Sequence, residues 1–243
     1  MATRGEYLAA LGLVDWRQRR TLAVGLVAPA ASGAAEPVPE EPQPVLPPTH
    51  IAVRPGADSW DAVAAEVAAC MRCGLHQCRT RTVFGVGDRE ASWLVVGEAP
   101  GAEEDRQGEP FVGRAGQLLN AMLLGIGLQR EQVFIANVLK CRPPSNRDPL
   151  PDEVARCLPY LERQIALLQP RIMLAVGRIA AQNLLATDTP IGKLRGRVHA
   201  FGTQRIPLVV TYHPAYLLRS PTEKRKAWED LKFARHVAAG GSA

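Results

Sequence analysis

Residues 97–116 bring together carboxylates, glycines and one aromatic ring in a short segment. The segment follows an apolar run, residues 93–96, and precedes an apolar helical pattern, so it is predicted to connect a strand to a helix. Its glycines would let backbone N–H groups approach a ligand. The carboxylates of Glu98 and Glu104 could orient a water molecule or take a proton. The Phe111 ring provides a flat face on which a ligand ring could stack. An acidic surface loop that caps a helix would have the same composition. The motifs GxGxxG and GxxxxGK[ST] do not occur in it, so it does not predict a nucleotide cofactor.

Four of the five cysteines could be metal ligands. Cys70 and Cys73 form a CxxC pair at the end of a predicted helix, and Cys141 and Cys157 follow in later segments. Four thiolates could hold zinc or an iron–sulfur cluster, and the spacing alone leaves both open. The CxxC pair could also be a redox pair. Cys78 has no partner at such a spacing and is expected to be an ordinary thiol.

Two polar residues follow apolar strands. Asn137 closes one predicted strand, and its amide can donate and accept at once, which suits a uracil-like edge; a turn-forming asparagine is the alternative. His213 follows the last strand and could be an acid or an electrophile, or a core histidine at a helix start. Residues 214–219 place apolar side chains before Arg219, a pattern typical of segments that push a base out of a duplex.

Alternating strands and helices must position these residues. The alternation predicts a three-layer α/β/α fold with a central, mostly parallel four-stranded sheet. Ligands of such sheets collect at the carboxyl ends of the strands. The predicted strands are 93–97, 133–137, 171–176 and 206–211, and the predicted helices are 60–71, 114–125, 152–168, 177–186 and 223–238.

The composition suits one globular domain of about 150–200 residues plus an extension. The 243 residues are 47% hydrophobic and 22% charged. Residues 1–50 are predicted to be an N-terminal extension, made of a short helix at 5–18 and an extended Pro/Ala/Glu-rich linker at 28–50. The extension could dock a protein partner or be a frayed end. Residues 51–243 are predicted to form the folded, catalytic domain.

The charge and the apolar runs limit the partners and the location. A net charge of +5 and an isoelectric point of about 9.1 favour a polyanionic partner. No apolar run reaches the roughly 18 residues that a membrane-spanning helix needs. Residues 17–35 look somewhat like a secretion signal, but the basic cluster starts late and the apolar run is short. The expectation is a cytoplasmic monomer. Basic residues that could line one face are Arg142, Arg147, Lys193, Arg195, Arg197, Arg219, Lys224, Arg225 and Lys226.

Taken together, these segments resemble the family 4 uracil-DNA glycosylases, the iron–sulfur branch of bacteria and archaea. The resemblance covers about residues 66–237, and the set of motifs is specific although no single motif is. The motifs are RTRTVFG at 79–85, GEAPGAEED at 97–105, PFVGRAG at 110–116, NVLKCRPP at 137–144 and HPAYLLR at 213–219.

The resemblance implies hydrolysis of the N-glycosidic bond of deoxyuridine in single- or double-stranded DNA, which leaves an abasic site for base excision repair. The base would be flipped out of the stack and would stack on Phe111. Asn137 would read the edge that separates uracil from cytosine, and the backbone at Glu98–Ala99 would hold the other side. His213 would stabilise the departing uracil anion.

A carboxylate would position the attacking water. The resemblance favours Glu104, with Glu98 as second choice, because Ala99 stands where related glycosylases have an aspartate. Further implied residues are Leu217 to fill the gap in the duplex, Arg219 and Arg195 to hold phosphate, and Cys70, Cys73, Cys141 and Cys157 to hold a [4Fe–4S] cluster of structural role.

Alternative functions remain open from the sequence. One is a glycosylase for another deaminated base or for a thymine mismatch. A second is a non-catalytic DNA-binding or polymerase-associated protein, and a third, resting on the cluster alone, is a redox sensor. A related branch that cross-links to DNA has an inserted basic loop, and Asn137 here continues to Cys141 without it, so turnover is expected.

Overall fold

The computed structural model describes residues 59–241. Its centre is a six-stranded sheet with the strand order β1-β3-β2-β4-β6-β5. Four strands, β3, β2, β4 and β6, are parallel, and β1 and β5 pair antiparallel with β3 and β6 at the two edges. The strands are β1 Val86–Gly87, β2 Trp93–Gly97, β3 Phe134–Asn137, β4 Ile172–Val176, β5 Val198–Phe201 and β6 Ile206–Thr211.

Helices cover both faces of the sheet because the strands are apolar on both sides. Leu94 and Val96 of β2 belong to one buried cluster, and Trp93 and Val95 belong to the other. The helices α1, α4 and α5 pack in the first cluster, and α3, α7 and α8 pack in the second. The helices are α1 Trp60–Ala68, α2 Ala102–Gln107, α3 Arg114–Gly125, α4 Pro151–Leu168, α5 Arg178–Leu185, α6 Ile191–Leu194, α7 Pro214–Arg219 and α8 Lys224–Ala238, with 3-10 turns at Gly74–Gln77, Arg130–Gln132, Pro144–Asn146 and Pro221–Glu223.

The predicted α/β/α architecture is confirmed, with two corrections. The sheet has six strands because short antiparallel segments, β1 and β5, close the edges of the four predicted strands. Helix α1 ends at Ala68 rather than at residue 71, so the CxxC pair lies beyond the helix. The predicted cap is present, since the side chain of Ser59 accepts a hydrogen bond from Ala62 N at 3.2 Å.

Parallel pairing continues past the ends of β2 and β3. Val138 N donates to Gly97 O, and Leu139 N donates to Glu98 O, each at 3.0 Å. Residues 98 and 137–139 are therefore held together at the carboxyl end of the sheet. No helix within residues 59–241 is long and apolar enough to cross a membrane. The predicted extension, helix 5–18, linker 28–50 and the boundary at residue 50 lie outside the described residues.

Candidate active site and thiol site

A cavity of about 750 Å³ opens where the four parallel strands end. Residues that follow β2, β3, β4 and β6 all contribute to its wall, as expected for a parallel sheet. The predicted residues that line it are Glu98, Ala99, Glu104, Phe111, Asn137, His213 and Arg219. The structure therefore brings together the residues predicted for base recognition and for water activation.

Phe111 and Asn137 pack closely against Gly97 at one end of this cavity. A Cβ atom built at Gly97 would overlap the Asn137 amide oxygen and the Phe111 ring, so a larger residue there would displace both side chains. Phe111 has a left-handed φ of 55°, a strained conformation for a residue with a side chain. Arg130 stabilises it by donating to the Phe111 carbonyl oxygen at 3.2 Å.

The Asn137 side chain is buried and incompletely paired. The residue is 2% exposed, and its Oδ1 has no hydrogen-bond partner among the described residues. Buried polar atoms in proteins almost always have a partner. Because Asn137 lines the cavity, a ligand N–H is a candidate for the partner that this oxygen lacks.

Glu104 is held by the loop that carries Phe111. Its Oε1 accepts hydrogen bonds from Val112 N at 3.1 Å and from Gly113 N at 3.2 Å. Within residues 59–241 its Oε2 has no such partner, and a Cβ atom at Gly101 would lie 2.7 Å from that oxygen. One carboxylate oxygen thus fixes the side chain while the other can hold a water molecule.

Glu98 is a carboxyl group with a raised pKa. Burial, aided by the nearby Asp148 carboxylate and opposed by Arg178, raises the pKa of Glu98 to about 7. Asp148 and Arg178 pair at 2.6 Å on the rim of the cavity. Glu98 is therefore only partly ionised at neutral pH.

His213 is a neutral hydrogen-bond donor toward the cavity. It is the N-cap of α7, and its Nδ1 accepts from Ala215 N at 3.1 Å, so the ring proton resides on Nε2. Burial, aided by the charge of Arg219 and opposed by Glu104, lowers the pKa of His213 to about 4. The ring lies 5.6 Å from the Phe111 ring, between centroids.

Two residues predicted to contact DNA are placed differently. Leu217 is 1% exposed and packs in the core beneath α7, so it does not have the exposed position predicted for a residue that fills a gap in the duplex. The helical turn instead exposes Tyr216 and Leu218. The Arg195 side chain, 11% exposed, pairs with buried Asp230 at 2.6 Å and so does not present a free guanidinium to phosphate.

Arg195 instead supports the cavity wall. Its guanidinium carbon lies 4.3 Å from the centre of the Tyr212 ring, a cation–π contact. Tyr212 lines the cavity next to His213. Sequence reasoning missed this link, since no local pattern joins residue 195 to residue 212. Arg219, in contrast, is exposed on the cavity rim as predicted.

The four predicted ligand cysteines surround a second, smaller cavity. Cys70, Cys73, Cys141 and Cys157 all line it, whereas Cys78 is exposed outside it. No group of three or more His, Cys, Asp or Glu side chains within residues 59–241 is arranged to hold a metal ion. The thiols thus surround a space without meeting at one point.

Two of these sulfurs accept N–H hydrogen bonds. Arg79 Nη1 donates to Cys141 Sγ at 3.1 Å, and Lys140 N donates to Cys157 Sγ at 3.2 Å. Burial raises the pKa of the Cys157 thiol to about 12. A thiol of this kind keeps its proton unless a metal replaces it.

Comparison with known proteins agrees with this geometry. The uracil DNA glycosylase superfamily model matches residues 84–232. A type-4 uracil-DNA glycosylase of Archaeoglobus fulgidus is 44% identical over 181 residues, which covers 72% of this chain and 91% of that protein. A type-4 uracil-DNA glycosylase of Thermotoga maritima is 40% identical over 179 residues, which covers 72% of this chain and 92% of that protein. A type-5 uracil-DNA glycosylase of Thermus thermophilus is 37% identical over 121 residues, covering 44% and 55%. The chain therefore belongs to the uracil DNA glycosylase superfamily, in its type-4 branch.

Proposed function

We propose that this chain hydrolyses the N-glycosidic bond of deoxyuridine in DNA, releasing uracil and leaving an abasic site. The observation that carries the proposal is the buried, unpaired Oδ1 of Asn137, a residue that lines the cavity together with Phe111. An unpaired polar atom in a site of this shape lowers stability unless a ligand pairs with it. A flipped pyrimidine would supply both the partner and the stacking surface.

Asn137 would distinguish uracil from cytosine by its hydrogen-bond pattern. Uracil presents N3–H, a donor, and O4, an acceptor, whereas cytosine presents N3 as an acceptor and an amino group as a donor. The Asn137 amide can accept from N3–H and donate to O4. Cytosine would place an acceptor against the buried Oδ1 and leave it unpaired, a costly arrangement.

His213 would stabilise the leaving group. As the glycosidic bond breaks, uracil takes the electron pair and becomes an anion, while the sugar gains oxocarbenium character. A neutral imidazole with its proton on Nε2 can donate to that anion, a role worth about 3 kcal/mol for comparable donors. The low pKa of His213 keeps the imidazole neutral at physiological pH, so the ring donates a hydrogen bond and does not supply a proton.

Glu104 would position the attacking water. Its Oε1 is fixed by two backbone N–H groups and its Oε2 is open to the cavity. Water held there could attack the anomeric carbon after the uracil anion has left the opposite face. Glu98 is the second candidate, and its raised pKa would make a role in water activation strongly dependent on pH near neutrality.

The four thiols would hold a [4Fe–4S] cluster. The four thiols line one cavity, and the resemblance to the iron–sulfur branch of the family favours a cluster there over a single zinc ion. The bound cluster would act as a cross-link that stabilises the fold. Its ligands would join the segment after α1, the segment after β3 and helix α4. Arg79 and the Lys140 N–H would stabilise the thiolate charge.

An excision assay tests the proposal. An end-labelled oligonucleotide with one deoxyuridine is incubated with the protein, treated with alkali and resolved on a gel, with cytosine in the same position as control. Cleavage at uracil alone, lost in Asn137→Ala, is the expected result. Asn183→Ala is the matched variant, since the Asn183 side chain bonds within its own helix, to Ile179 O. DNA binding without cleavage of deoxyuridine, hypoxanthine or thymine-mismatch substrates would overturn the proposal in favour of a binding protein.

The partners follow from this function. Uracil-containing DNA is the partner that the basic charge and the site both favour. Location in the cytoplasm, action as a monomer and a protein partner for residues 1–50 stay predictions from the sequence.

A further inference from the structure

The Lys140 side chain is a fully buried cation next to the site, and only the backbone N–H of this residue has a role in the function proposed above. It is 1% exposed. Its Nζ donates to Asn137 O at 2.9 Å and to Gln164 Oε1 at 2.6 Å. Gln164 is also fully buried, and its amide nitrogen donates to Phe84 O at 3.0 Å. The ammonium is thus fixed between the end of β3 and helix α4.

We propose that Lys140 is a positioning residue for base recognition, which fixes the backbone carbonyl of Asn137 and thereby the direction of the Asn137 side-chain amide. This inference rests on the proposed function, because it assigns Lys140 to the recognition step of that reaction. Lys140 itself does not line the cavity around Asn137, so it would act only through Asn137.

The contacts around Asn137 explain why a fixed carbonyl matters. Asn137 is the last residue of β3, paired with Gly97. The next two residues are held by N–H bonds to Gly97 O and Glu98 O. The Asn137 carbonyl points away from this ladder toward Lys140 Nζ. Rotation of the Asn137–Val138 peptide would break both the Val138 N–H bond to Gly97 O and the Lys140 bond to Asn137 O. The Lys140 bond therefore stabilises the observed orientation of this peptide, because a buried carbonyl left without a partner is costly.

The backbone of Lys140 is anchored on the other side. Its N–H donates to Cys157 Sγ at 3.2 Å, and its carbonyl accepts from Val83 N at 2.8 Å. One residue therefore connects a thiol of the second cavity to the residue that would read uracil. A buried ammonium needs hydrogen-bond acceptors, and here one of them is the backbone oxygen of the base-reading residue.

Lys140→Met tests the proposal, because methionine keeps an unbranched, apolar chain and removes the donor. Leu139→Met is the matched control, since Leu139 is in the same turn and fully buried but makes no side-chain hydrogen bond. Three quantities are measured for each variant. They are kcat/KM on deoxyuridine DNA, the inhibition constant of free uracil, and the affinity for DNA that already contains an abasic site.

Lys140→Met is expected to lower kcat/KM by about tenfold to a hundredfold and to weaken free-uracil inhibition by about tenfold. Affinity for abasic DNA is expected to stay within about twofold, because that DNA offers no base to Asn137. In the Asn137→Ala background, Lys140→Met is expected to lower kcat/KM little further, because the effects of two residues that act as one unit do not add. Visible absorbance of the cluster serves as the check on the thiol site.

Three results would overturn the proposal. One is free-uracil inhibition within about twofold of wild type in a folded Lys140→Met protein. Another is equal loss of uracil affinity, abasic-DNA affinity and thermal stability, which would indicate a structural role alone. The third is a Lys140→Met substitution that lowers kcat/KM by the same factor in the Asn137→Ala background as in the wild type. If wild-type protein does not excise uracil, the proposed function itself fails, which is distinct from these results.

Should Lys140→Met not fold, Gln164→Met decides the same question. It removes the second acceptor that fixes the ammonium and leaves the Lys140 side chain in place. Weaker free-uracil inhibition with unchanged abasic-DNA affinity would support the positioning role. Inhibition equal to wild type would contradict it.

Discussion

The rings of Phe111 and His213 lie 5.6 Å apart between centroids, with an angle of 30° between their planes. They come from different parts of the chain, the loop before α3 and the cap of α7. The pair combines a stacking surface with a neutral N–H donor in the wall of one cavity. Such a pair favours a flat ring that becomes negatively charged, which is what uracil becomes when its glycosidic bond breaks.

Gly97→Ala is expected to reduce uracil excision by about a hundredfold or more, because the methyl group would overlap the Asn137 amide oxygen and the Phe111 ring and displace both. Single-turnover excision measures the effect. Gly192→Ala is the matched control, since a Cβ atom at Gly192 would meet no atom within 4 Å and should leave excision unchanged. Excision by Gly97→Ala at the wild-type rate would show that the base binds elsewhere.

His213→Asn is expected to reduce the loss of folding stability in acid. Asparagine is a good N-cap and can accept from Ala215 N as His213 does. The pKa of His213 is about 4 in the folded protein and about 6.5 when unfolded. The unfolded chain therefore binds the proton first, so this contribution to stability is full above the unfolded pKa and falls as pH drops toward 4.

Between pH 7 and pH 5, protonation of His213 should lower the free energy of unfolding of the wild type by about 2 kcal/mol, a loss that the variant does not have. Urea unfolding at both pH values measures it. Glu98 contributes with the opposite sign, since its raised folded pKa makes the protein more stable as pH falls through 7. The comparison must therefore be variant against wild type. Parallel stability curves for the two proteins would contradict a buried neutral His213.

Leu218→Ala is expected to slow excision from duplex DNA by about tenfold and to change excision from single strands little. Leu218 is exposed beside Arg219, and only a duplex leaves a gap when a base is flipped out. Leu217→Ala is the informative comparison, because Leu217 is buried and its truncation should cost about 2–5 kcal/mol of stability. Equal slowing on both kinds of DNA by Leu218→Ala would argue against a wedge at this position.

The sequence determined the sheet well because its strands are short, wholly apolar runs. The bounds of β2 and β6 agree with the prediction to the residue. The edge strand β5 was missed because it is partly exposed and mixed in composition. Helix α2 was missed because its one buried residue is a carboxylate, Asp105, which accepts from Thr80 N at 2.9 Å.

The position of a site residue was predictable where the residue ends a strand or follows one directly, as Asn137 and His213 do at the cavity; their roles stay predictions. The position differed from the expectation where rotation about a short helix decides exposure. Leu217 and Leu218 are chemically identical, and α7 has only six residues, too few for a hydrophobic period to show which one is buried. The Arg195–Asp230 pair joins positions 35 residues apart, and nothing local in the sequence encodes that contact.

Arg219→Met is expected to lower the slope of log affinity against log salt by about 0.9, the effect of one lost phosphate contact, and to leave stability unchanged. Arg219 is exposed on the rim of the cavity. Arg195→Met is expected to leave the salt slope unchanged and to lower the free energy of unfolding by about 3–5 kcal/mol, because it leaves the buried Asp230 carboxylate unpaired. DNA titrations at several salt concentrations and urea unfolding separate the two. A reduced salt slope for Arg195→Met alone would restore the original assignment of Arg195 to phosphate.

Cys157→Ser is expected to lose the iron and sulfide of the cluster, whereas Cys78→Ser should retain both. Cys157 lines the thiol cavity, is buried and accepts from Lys140 N, while Cys78 is exposed outside it. Iron and acid-labile sulfide analysis of each purified variant measures the content, and thermal unfolding measures the consequence for the fold. Because the four ligands join segments before β1, after β3 and in α4, loss of the cluster should lower the unfolding temperature and weaken abasic-DNA binding together. Full DNA binding and excision by stable, cluster-free protein would contradict the structural role.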